Sequence, residues 1–392
     1  MSASGGSGRG SLLIISFSVI ESDARVLKQI KHFSEIYDVT TCGYGPPVEG
    51  TVQHYRVPDD LGHAELYGRY ITLHWYRAAY WRLPAMRWVR DTMPAGEWDV
   101  VLANELETMP LALGLRPRGG IHLDLHEYTP LLNAEHEGWR RRIKPYHEWM
   151  CRRYATKAGS WSTVSSGLAR EYATNFGFEP EVVTNAAPFA DLEPSPVDEP
   201  IRIVHSGACL RNRQLMTMLD AVDRARRPVT FDLYLTPNDP GYLEELRMRA
   251  AAISGVEVRD PVPYAELVTT LNAFDVGIHL LAPTNFNNEW ALPNKLFDYV
   301  QARLGILIGP SPEMAERVRG YGLGAVAEEF SADALAAQID GLTIEGVAEY
   351  KDASHAHARE LSAESQIAMW DRAIAARFAA SGRSALAGKR AE

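Results

Sequence analysis

The sequence predicts an α/β protein made of two doubly wound, Rossmann-like domains that are joined by a linker. Three observations support this fold class. Apolar residues follow strand, helix and strand spacing in turn between residues 12 and 42. The same pattern restarts at residue 201. Between the two, the segment ADLEPSPVDEP at 190–200 is rich in proline and acidic residues, as linkers are.

The first domain is predicted to occupy residues 11–190. It begins with a buried strand at 12–17, a helix at 23–36 and a second strand at 39–42. Further strands are expected at 99–103 and from residue 121, and polar residues follow the first of these at 104–107. Ligands bind at the carboxyl ends of the strands in such sheets, so these polar residues are candidates for a site. Residues 1–10, MSASGGSGRG, have the composition of a disordered tail.

The second domain is predicted to occupy residues 201–355, after a linker at 191–200. Its strands are expected at 201–205, 231–235, 256–258 and 276–280, and its helices at 214–226, 241–252, 264–273 and 331–339. A last amphipathic helix is expected within 356–380, and residues 381–392 are expected to fray as a tail. A chain of 392 residues is long enough for two domains that each bury a core.

The segment 287–313, NNEWALPNKLFDYVQARLGILIGPSPE, predicts a helix that is followed at once by a buried strand. Pro293 fits the first turn of that helix, where its missing N–H costs nothing. A helix N-terminus carries partial positive charge and free N–H groups, which suit a diphosphate. Asn294 and Lys295 would lie at this terminus, with Asp298 one turn further, within reach of a sugar hydroxyl. The alternative is an ordinary α/β unit in which Lys295 and Asp298 are solvated.

A second candidate for phosphate binding is the loop at 206–213, SGACLRNR. It is a turn of small residues that leads into a helix, and arginines stand at the entrance of that helix. Arg211 and Arg213 are therefore candidate ligands of a diphosphate. The alternative is that they are solvent-exposed arginines without a ligand.

The charge and cysteine content restrict the class of partner. The formal net charge is −10, and the acidic excess lies almost entirely after residue 190, which argues against nucleic acid as the main partner. Cys42, Cys151 and Cys209 are far apart and have no CxxC spacing, so a reduced, cytoplasmic protein is expected. The early apolar run at 11–20 is too short to span a bilayer and has an acidic flank, which argues against a signal peptide.

Two segments of the first half combine aromatic and basic residues. Residues 64–90 are predicted to form a helix with seven Trp or Tyr and five Arg residues, and residues 139–157 a second basic helix, WRRRIKPYHEWMCRRYATK. Such helices can lie in a membrane interface, grip an amphipathic acceptor or attract anionic lipid. They predict peripheral contact with the inner face of a membrane. The alternative is that the aromatic residues belong to the core and the arginines to a solvated face.

The strand that starts at residue 121 places His122, Asp124 and His126 on one face, because side chains alternate along a strand. This spacing is compatible with a zinc or iron site and therefore with a metal hydrolase. No further ligand stands at metal-binding spacing, so the metal remains the alternative interpretation of this strand.

The segment ALPNKLFDYVQARLGILIG resembles the donor-binding segment of GT-B glycosyltransferases of the large retaining group called family 4. In that family a Lys-x-x-acid-Tyr helix precedes a Gly-x-hydrophobic-hydrophobic strand. The resemblance implies two domains that face each other across a cleft, with the helix within 356–380 crossing back to the first domain. It also implies that Asp298 binds the ribose hydroxyls of a nucleotide sugar and that Arg213 holds the diphosphate. Arg211 is the neighbour that could replace Arg213.

Two further motifs resemble this family. The motif DARVL at 23–27 is similar to a loop at the cleft, which assigns Asp23 and Arg25 to that loop. The motif DLHE at 124–127 resembles a strand end of one GT-B subgroup, in which the histidine faces the donor sugar. His126, with Glu127 beside it, is therefore the catalytic candidate of the first domain.

One departure from the family pattern concerns the sugar contact. Many members have two glutamates separated by seven residues, and the first of them contacts the donor sugar. Counting back from Asp298 places Trp290 at that position, with Glu289 adjacent to it. Either Glu289 serves after a shift of one residue, or this chain handles its sugar differently.

The resemblance implies a glycosyltransferase that uses a nucleotide-diphosphate sugar as co-substrate, with retention of configuration and without a metal cofactor. The sequence has no Asp-x-Asp motif, which argues against the metal-dependent GT-A class. The two aromatic and basic segments favour a lipid-linked or cell-envelope glycan as the acceptor, and hence a role in polysaccharide biosynthesis. Alternatives are a small-molecule natural product as acceptor, a nucleotide-sugar epimerase, a non-catalytic nucleotide-sugar-binding subunit and the metal hydrolase.

Overall fold

The structure is a computed structural model that describes residues 9–382. The outer parts of the two predicted tails, residues 1–8 and 383–392, lie outside the described residues. The chain divides into two compact units. Unit 1 contains the residues up to Val183 and those from Ile367 onward, and unit 2 contains Thr184–Gln366.

Unit 1 is organised around a sheet of seven strands in the order β3-β2-β1-β4-β5-β6-β7. All paired strands are parallel. The strands are β1 (Ser11–Val19), β2 (Asp38–Tyr44), β3 (Gln53–Arg56), β4 (Val100–Asn104), β5 (Ile121–Leu125), β6 (Ser160–Thr163) and β7 (Glu181–Val182). The central strands are apolar without alternation because helices cover both faces of a parallel sheet. The predicted doubly wound arrangement is confirmed here.

The helices of unit 1 connect these strands, and the last helix of the chain joins them from residue 367 onward. They are α1 (Ala24–Phe33), α2 (Gly68–Thr72), α3 (Tyr76–Trp81), α4 (Pro84–Thr92), α5 (Met109–Leu115), α6 (Lys144–Arg153), α7 (Ser166–Phe176) and α16 (Ala363–Ala380). The single helix predicted at 64–90 is wrong. His74 has a left-handed backbone at φ 55°, and Pro84 starts a new helix, so the segment forms α2, α3 and α4 instead.

Unit 2 repeats the design with six parallel strands in the order β10-β9-β8-β11-β12-β13. The strands are β8 (Ile201–Ala208), β9 (Val229–Thr236), β10 (Val256–Arg259), β11 (Val276–His279), β12 (Gly305–Ile308) and β13 (Gly324–Val326). The helices are α8 (Leu215–Arg224), α9 (Pro240–Ala251), α10 (Tyr264–Leu271), α11 (Phe286–Glu289), α12 (Asn294–Gln301), α13 (Pro312–Gly320), α14 (Ala332–Asp340) and α15 (Ile344–His357). The predicted α/β class with two Rossmann-like units is therefore confirmed.

The segment predicted as a linker contains no regular element, but it is fixed to unit 2 by buried cations. Arg303 donates from Nη2 to the carbonyl of Ala190 at 2.6 Å. Lys351 donates to Ser195 Oγ at 2.9 Å and to the carbonyl of Phe274 at 2.8 Å. These hydrogen bonds satisfy donors that would otherwise be buried without partners. The extended segment is thus held to unit 2.

A buried ion pair joins three elements of unit 1 and the residue that follows β7. Arg25, on α1, donates to both carboxylate oxygens of Asp124, on β5, at 2.8 Å each. Arg25 also contacts the carbonyl of Val183 at 2.8 Å and the ring of Trp370, on α16, 4.8 Å from the ring centroid. Asp124 also accepts from Gln29 at 2.8 Å. Every oxygen of this buried carboxylate is therefore paired, as burial of a charge requires.

Among residues 9–382, no helix combines the length and the apolar character that crossing a bilayer requires.

Replacement of Arg25 by Met should destabilise unit 1 strongly. Asp124 is 0% exposed and Arg25 6% exposed, so the substitution leaves a carboxylate buried without its cation. The expected loss in the free energy of unfolding is about 3–5 kcal/mol, measured by urea denaturation.

The matched control is Arg56→Met, which removes the cation of the exposed Arg56–Asp59 pair in the same unit. That change should alter stability by less than about 1 kcal/mol. Equal losses in the two variants would contradict the structural role of the buried pair.

Candidate functional site

The position of α12 in unit 2 is set by Tyr299. Its ring lies against the backbone of β11 at Gly277, where a Cβ atom would come within 2.4 Å of the ring. The Tyr299 hydroxyl donates to the carbonyl of Ile278 at 3.1 Å. Because glycine leaves this space free, the first turns of α12 come close to the carboxyl ends of β8 and β11. Those strand ends are where ligands bind in an open α/β sheet.

Lys295, in the first turn of α12, lies directly over the end of β8. Its Cε and Nζ atoms are 2.4 and 2.5 Å from the place that a Cβ at Gly207 would occupy. Gly207 also has φ +148°, which other residues rarely adopt. Glycine at this position avoids backbone strain and leaves the backbone open to the ammonium group and to any ligand bound beside it.

The charges around Lys295 bring together three residues predicted from the sequence. Loss of hydration, followed by the nearby positive charge of Arg213, lowers the pKa of Lys295 to about 8, while Asp298 acts in the opposite direction. Lys295, Arg213 and Asp298 thus interact as one cluster. Two cations held beside one carboxylate leave a net positive charge, which attracts an anion.

Asp298 is only 3% exposed and is in contact with Tyr264, the first residue of α10. The Tyr264 hydroxyl donates to the carboxylate, and its pKa is raised by burial first and by Asp298 second. A carboxylate held in this way keeps a fixed orientation. It suits a hydrogen bond to the hydroxyls of a bound sugar better than a solvated side chain does.

Two buried histidines complete this site and were not recognised in the sequence analysis. His205, on β8, and His279, on β11, stack with their ring centroids 5.8 Å apart. The pKa of His205 is lowered to about 3 and that of His279 well below its ordinary value, in both cases by burial first and by Lys295 second. Both rings are therefore neutral at physiological pH.

These rings retain unused hydrogen-bonding atoms. His205 donates from Nδ1 to the carbonyl of Ile278 at 2.9 Å, which leaves its Nε2 atom without a partner among the described residues. Neither ring nitrogen of His279 has one there either. Buried polar atoms are rarely left unpaired, so these nitrogens are candidates to bond a ligand. A sequence signal existed, because each histidine follows a mostly apolar run in the carboxyl-terminal half of its strand.

The other donor-site candidates differ in where they lie. Asn294 is exposed as the first residue of α12, and Glu289 ends the short helix α11, before Trp290. Arg211, by contrast, is held by Glu245 at 2.6 Å and by Asp239 at 3.5 Å, over the ring of Tyr242. Arg211 is not among the charges that shift Lys295. Of the two arginines predicted in this loop, the structure brings only Arg213 to the cluster.

In unit 1, His126 lies just beyond the carboxyl end of β5. Its Nδ1 atom is 3.2 Å from Glu105, and its Nε2 atom is 3.3 Å from Asn104 and 3.4 Å from Asp124. The ring is thus held between two carboxylates and an amide. Glu127 is exposed, and its backbone carbonyl accepts from the hydroxyl of Tyr172 at 2.7 Å. The contacts of His126 fix its ring orientation.

Glu105 is one of the polar residues at 104–107 that the sequence predicted near a site, although no role was assigned to it. Burial, followed by the charges of Glu107, Glu127 and Asp124, raises its pKa well above the ordinary value. Burial also raises the pKa of Glu107 to about 7. Glu105 has φ 67°, a strained backbone for a residue other than glycine. Its position directly after β4 was the available signal.

The resemblance assigns Asp23 and Arg25 to a cleft loop, and both have structural contacts within unit 1. Asp23 caps α1 by accepting from the backbone N–H groups of Arg25 and Val26 at 3.1 Å. Arg25 is the buried partner of Asp124 described above. Burial would raise the pKa of Asp124, but Arg25 holds it well below its ordinary value. Both residues are therefore engaged in maintaining the fold.

The alternative metal site on β5 is wrong. His122 is buried, with Nδ1 and Nε2 each 2.9 Å from a serine hydroxyl, those of Ser160 and Ser162. Asp124 is occupied by Arg25. Within residues 9–382, no three His, Cys, Asp or Glu side chains are gathered so that they could hold a metal ion. The His122–Asp124–His126 trio does not offer free ligand atoms, and the metal-hydrolase hypothesis loses its basis.

No protein-family model and no curated protein sequence matches the chain. Its structure is nevertheless similar to solved glycosyltransferase-type structures over nearly its whole length. Anabaena HepE (Alr3699) in complex with UDP and glucose is 13% identical, covers 93% of this chain and 99% of its own, and has a TM-score of 0.69. Sucrose-phosphate synthase from Thermosynechococcus elongatus is 10% identical, covers 95% and 100%, and has a TM-score of 0.70.

A third similar structure is the α,α-trehalose 6-phosphate synthase of Burkholderia multivorans. It is 10% identical, covers 95% of this chain and 99% of its own, and has a TM-score of 0.65. These proteins have the GT-B fold. Similarity at such low identity concerns the fold, and the chain described here has the GT-B fold that its sequence motifs resemble.

The charge cluster in unit 2 can be tested without a ligand by titrating the side chain of Lys295. NMR of the lysine amines should give Lys295 a pKa of about 8, with the signal assigned by Lys295→Arg. Arg213→Gln removes a neighbouring positive charge and should raise this pKa, whereas Asp298→Asn should lower it.

Arg211→Gln is the matched control. Because Arg211 is paired with Glu245, this substitution should leave the pKa of Lys295 unchanged. An ordinary lysine pKa that does not respond to Arg213→Gln would show that the cluster does not exist.

Proposed function

We propose that this protein is a glycosyltransferase that transfers a sugar from a nucleotide-diphosphate sugar to a lipid-linked or cell-envelope glycan. The observation that carries the proposal is the cluster of Lys295, Arg213 and Asp298 at the carboxyl ends of β8 and β11, within a GT-B fold. A net positive cluster beside one oriented carboxylate matches a donor that has a diphosphate next to a ribose.

The assignment of the donor has two supports. The first is the chemistry of the site, since cations and a helix N-terminus bind phosphate and a fixed carboxylate binds hydroxyls. The second is the likeness to Anabaena HepE, which has been solved with UDP and with UDP-glucose. We propose that Arg213, Lys295 and Asn294 bind the diphosphate of the donor, and that Asp298 binds its ribose.

The leaving group of such a transfer is a nucleoside diphosphate, on which negative charge develops as the glycosidic bond to the sugar breaks. We propose that Lys295, Arg213 and the N-terminus of α12 stabilise this charge, so that the transfer needs no bound metal. Neutral His279 can donate a further hydrogen bond to a phosphate oxygen from its unused N–H. The groups are fixed before the reaction, which is the condition under which electrostatic stabilisation is effective.

For the transferred sugar we propose contacts from His126, Glu127 and Glu289, with retention of configuration. His126 is the best supported of the three, because Glu105 and Asp124 hold its ring in one orientation. An imidazole ring fixed in this way would position the transferred sugar by packing against it.

The proposed acceptor class rests on the surface of unit 1. The short helices α2 to α4 expose Arg69, Arg77, Arg82, Arg87 and Arg90, and the segment around α6 exposes Arg140, Arg141, Arg142, Arg152, Arg153 and Lys157. α2 lies against the helical turn Trp139–Ile143, which brings the two basic segments together. A basic surface with interleaved aromatic residues fits peripheral contact with an anionic membrane, where lipid-linked glycans are made. We place the protein at the cytoplasmic face of such a membrane.

The donor site is tested by comparing two arginines of one loop. Arg213→Ala should weaken binding of nucleoside diphosphates and of their sugars by about tenfold or more, because it removes a charge-assisted hydrogen bond. Asp298→Ala should also weaken nucleotide binding, because it removes the carboxylate proposed to bind the ribose hydroxyls. Isothermal titration with a panel of nucleoside diphosphates and nucleotide sugars provides the measurement.

Arg211→Ala is the control, because this side chain is paired with Glu245 and should bind the panel as the unchanged protein does. If no nucleotide of the panel binds, or if Arg213→Ala and Arg211→Ala bind the panel alike, the donor assignment is wrong.

Binding of a nucleotide sugar should weaken as the pH rises above about 8. The pKa of Lys295 is about 8 in the free protein, and a bound diphosphate raises it, so the complex binds a proton more strongly than the free protein does. Between the free and the bound pKa, affinity falls by up to about tenfold per pH unit. Titration calorimetry across this range measures the effect.

Lys295→Arg stays charged at every pH of the experiment, and its affinity should depend much less on pH. A pH profile that is the same for Lys295 and for the arginine variant would exclude Lys295 as a phosphate ligand.

A further inference from the structure

The surface of unit 1 contains an open pocket of about 780 Å³ that the donor chemistry does not use. It lies between α3, α4 and α6. Aromatic rings and guanidinium groups form most of its lining, which consists of His74, Trp75, Tyr76, Arg77, Ala78, Trp81, Arg82, Arg90 and Trp149. A pocket of this size accommodates the head group of a lipid.

Buried aromatic rings hold the pocket in shape. Tyr76 is largely buried, with its ring centroid 5.6 Å from those of both Tyr146 and Trp149 on α6. The left-handed backbone of His74 ends one helix segment and lets α3 start in a new direction. The lining is therefore set by packing inside unit 1 and not by an exposed loop alone.

The charge of the pocket is positive. Arg77, Arg82 and Arg90 line it, and none of the described residues that line it is acidic. Arg90 pairs with Asp91 at 2.8 Å, and Arg82 lies over the ring of Tyr70, 5.1 Å from its centroid. Several guanidinium groups around one cavity match a phosphate that carries more than one negative charge, because each can form two parallel hydrogen bonds to it.

Large apolar side chains are exposed next to this pocket. Leu73 is 55% exposed and Trp75 is 58% exposed, and Tyr67 is 44% exposed in the same segment. Trp and Tyr favour the interface between lipid head groups and acyl chains, and an exposed leucine gains free energy there. The apolar residues thus stand beside the cationic pocket, as an interface-binding surface requires.

We propose that this pocket binds the phosphate head group of a membrane lipid, specifically a phosphomonoester or diphosphate, while Leu73 and Trp75 enter the interface. The inference rests on the proposed function, because it names the lipid chemistry that the acceptor side of that function would recognise. It predicts selectivity: a lipid with a dianionic phosphate binds better than one with a phosphodiester at equal surface charge.

The test uses phosphatidylcholine vesicles that contain either phosphatidic acid or phosphatidylglycerol, matched for surface charge, in a co-sedimentation assay. The full chain should bind the phosphatidic acid vesicles more tightly. The double variant Arg77→Gln, Arg82→Gln should lose about tenfold or more of this binding together with the preference. Both arginines are exposed, so the variant should fold, which circular dichroism checks.

The matched control is Arg141→Gln, Arg142→Gln, which removes two exposed arginines of the basic segment outside the pocket. It should reduce binding to both vesicle types and keep the preference for phosphatidic acid. Equal binding of the two vesicle types, or a preference that survives loss of Arg77 and Arg82, would overturn the proposal.

Inorganic pyrophosphate separates a lipid head group from a soluble phosphate as the ligand. Pyrophosphate should compete only weakly with the vesicles, because the apolar contacts of Leu73 and Trp75 are missing. Tight binding of pyrophosphate to the pocket without vesicles, lost in the Arg77/Arg82 variant, would assign the pocket to a soluble ligand and overturn the lipid assignment. Nucleotide binding is measured on the same proteins, so failure at the donor site is recognised separately.

Discussion

The contact between the ring of Tyr299 and the backbone of Gly277 is the constraint on which the candidate donor site depends. It seats α12 against β11, and residues three or four positions apart on a helix share a face. Lys295 lies four residues before Tyr299 and three before Asp298, so the contact that seats Tyr299 positions Lys295 directly and Asp298 beside it. The close approach of Lys295 to Gly207 then follows, because β8 is the neighbouring strand of β11. One packing contact between a ring and a glycine thus orients both charges of the site.

In unit 1, the buried ion pair between Asp124 and Arg25 helps to orient the candidate residue His126. The carboxylate of Asp124 is fully buried and is neutralised by Arg25, so its charge is fixed. His126 lies next to this pair and also contacts Glu105. Because burial raises the pKa of Glu107 to about 7, this glutamate can change its protonation near neutral pH, and burial also raises the pKa of Glu105. The ion pair supplies rigidity, and the glutamates supply a titratable environment for the imidazole.

Much of the fold could be predicted from local patterns. The restart of strand spacing at residue 201 and the helix that begins at Asn294 both reflect periodicities that the sheet and the helix impose directly. The division of 64–90 into three helices could not be predicted as easily. The break depends on His74 adopting a left-handed backbone, which tertiary packing selects and which residue type alone does not indicate.

Residues of the candidate donor site could be predicted where the residue type itself indicates the ligand. They were missed where the role of a side chain depends on its neighbours in the fold. Arg213 and Lys295 were found because cations beside a helix N-terminus indicate phosphate. Arg211 has the same chemistry, but Glu245 and Asp239 lie within its reach, a fact that only the structure reveals. His205 and His279 were missed for the opposite reason. A histidine in an apolar strand becomes informative only when its nitrogens prove to be buried without partners.

The two anion-binding features proposed here use different cations, and this difference has physical consequences. Lys295 is an amine whose pKa of about 8 lies close to physiological pH, since its surroundings disfavour the charged form. The cations of the pocket are instead guanidinium groups at the surface. Exposed charges are screened by salt far more than partly buried ones. At pH above about 7, where a phosphomonoester keeps both negative charges, nucleotide binding should therefore respond mainly to pH and lipid binding mainly to ionic strength.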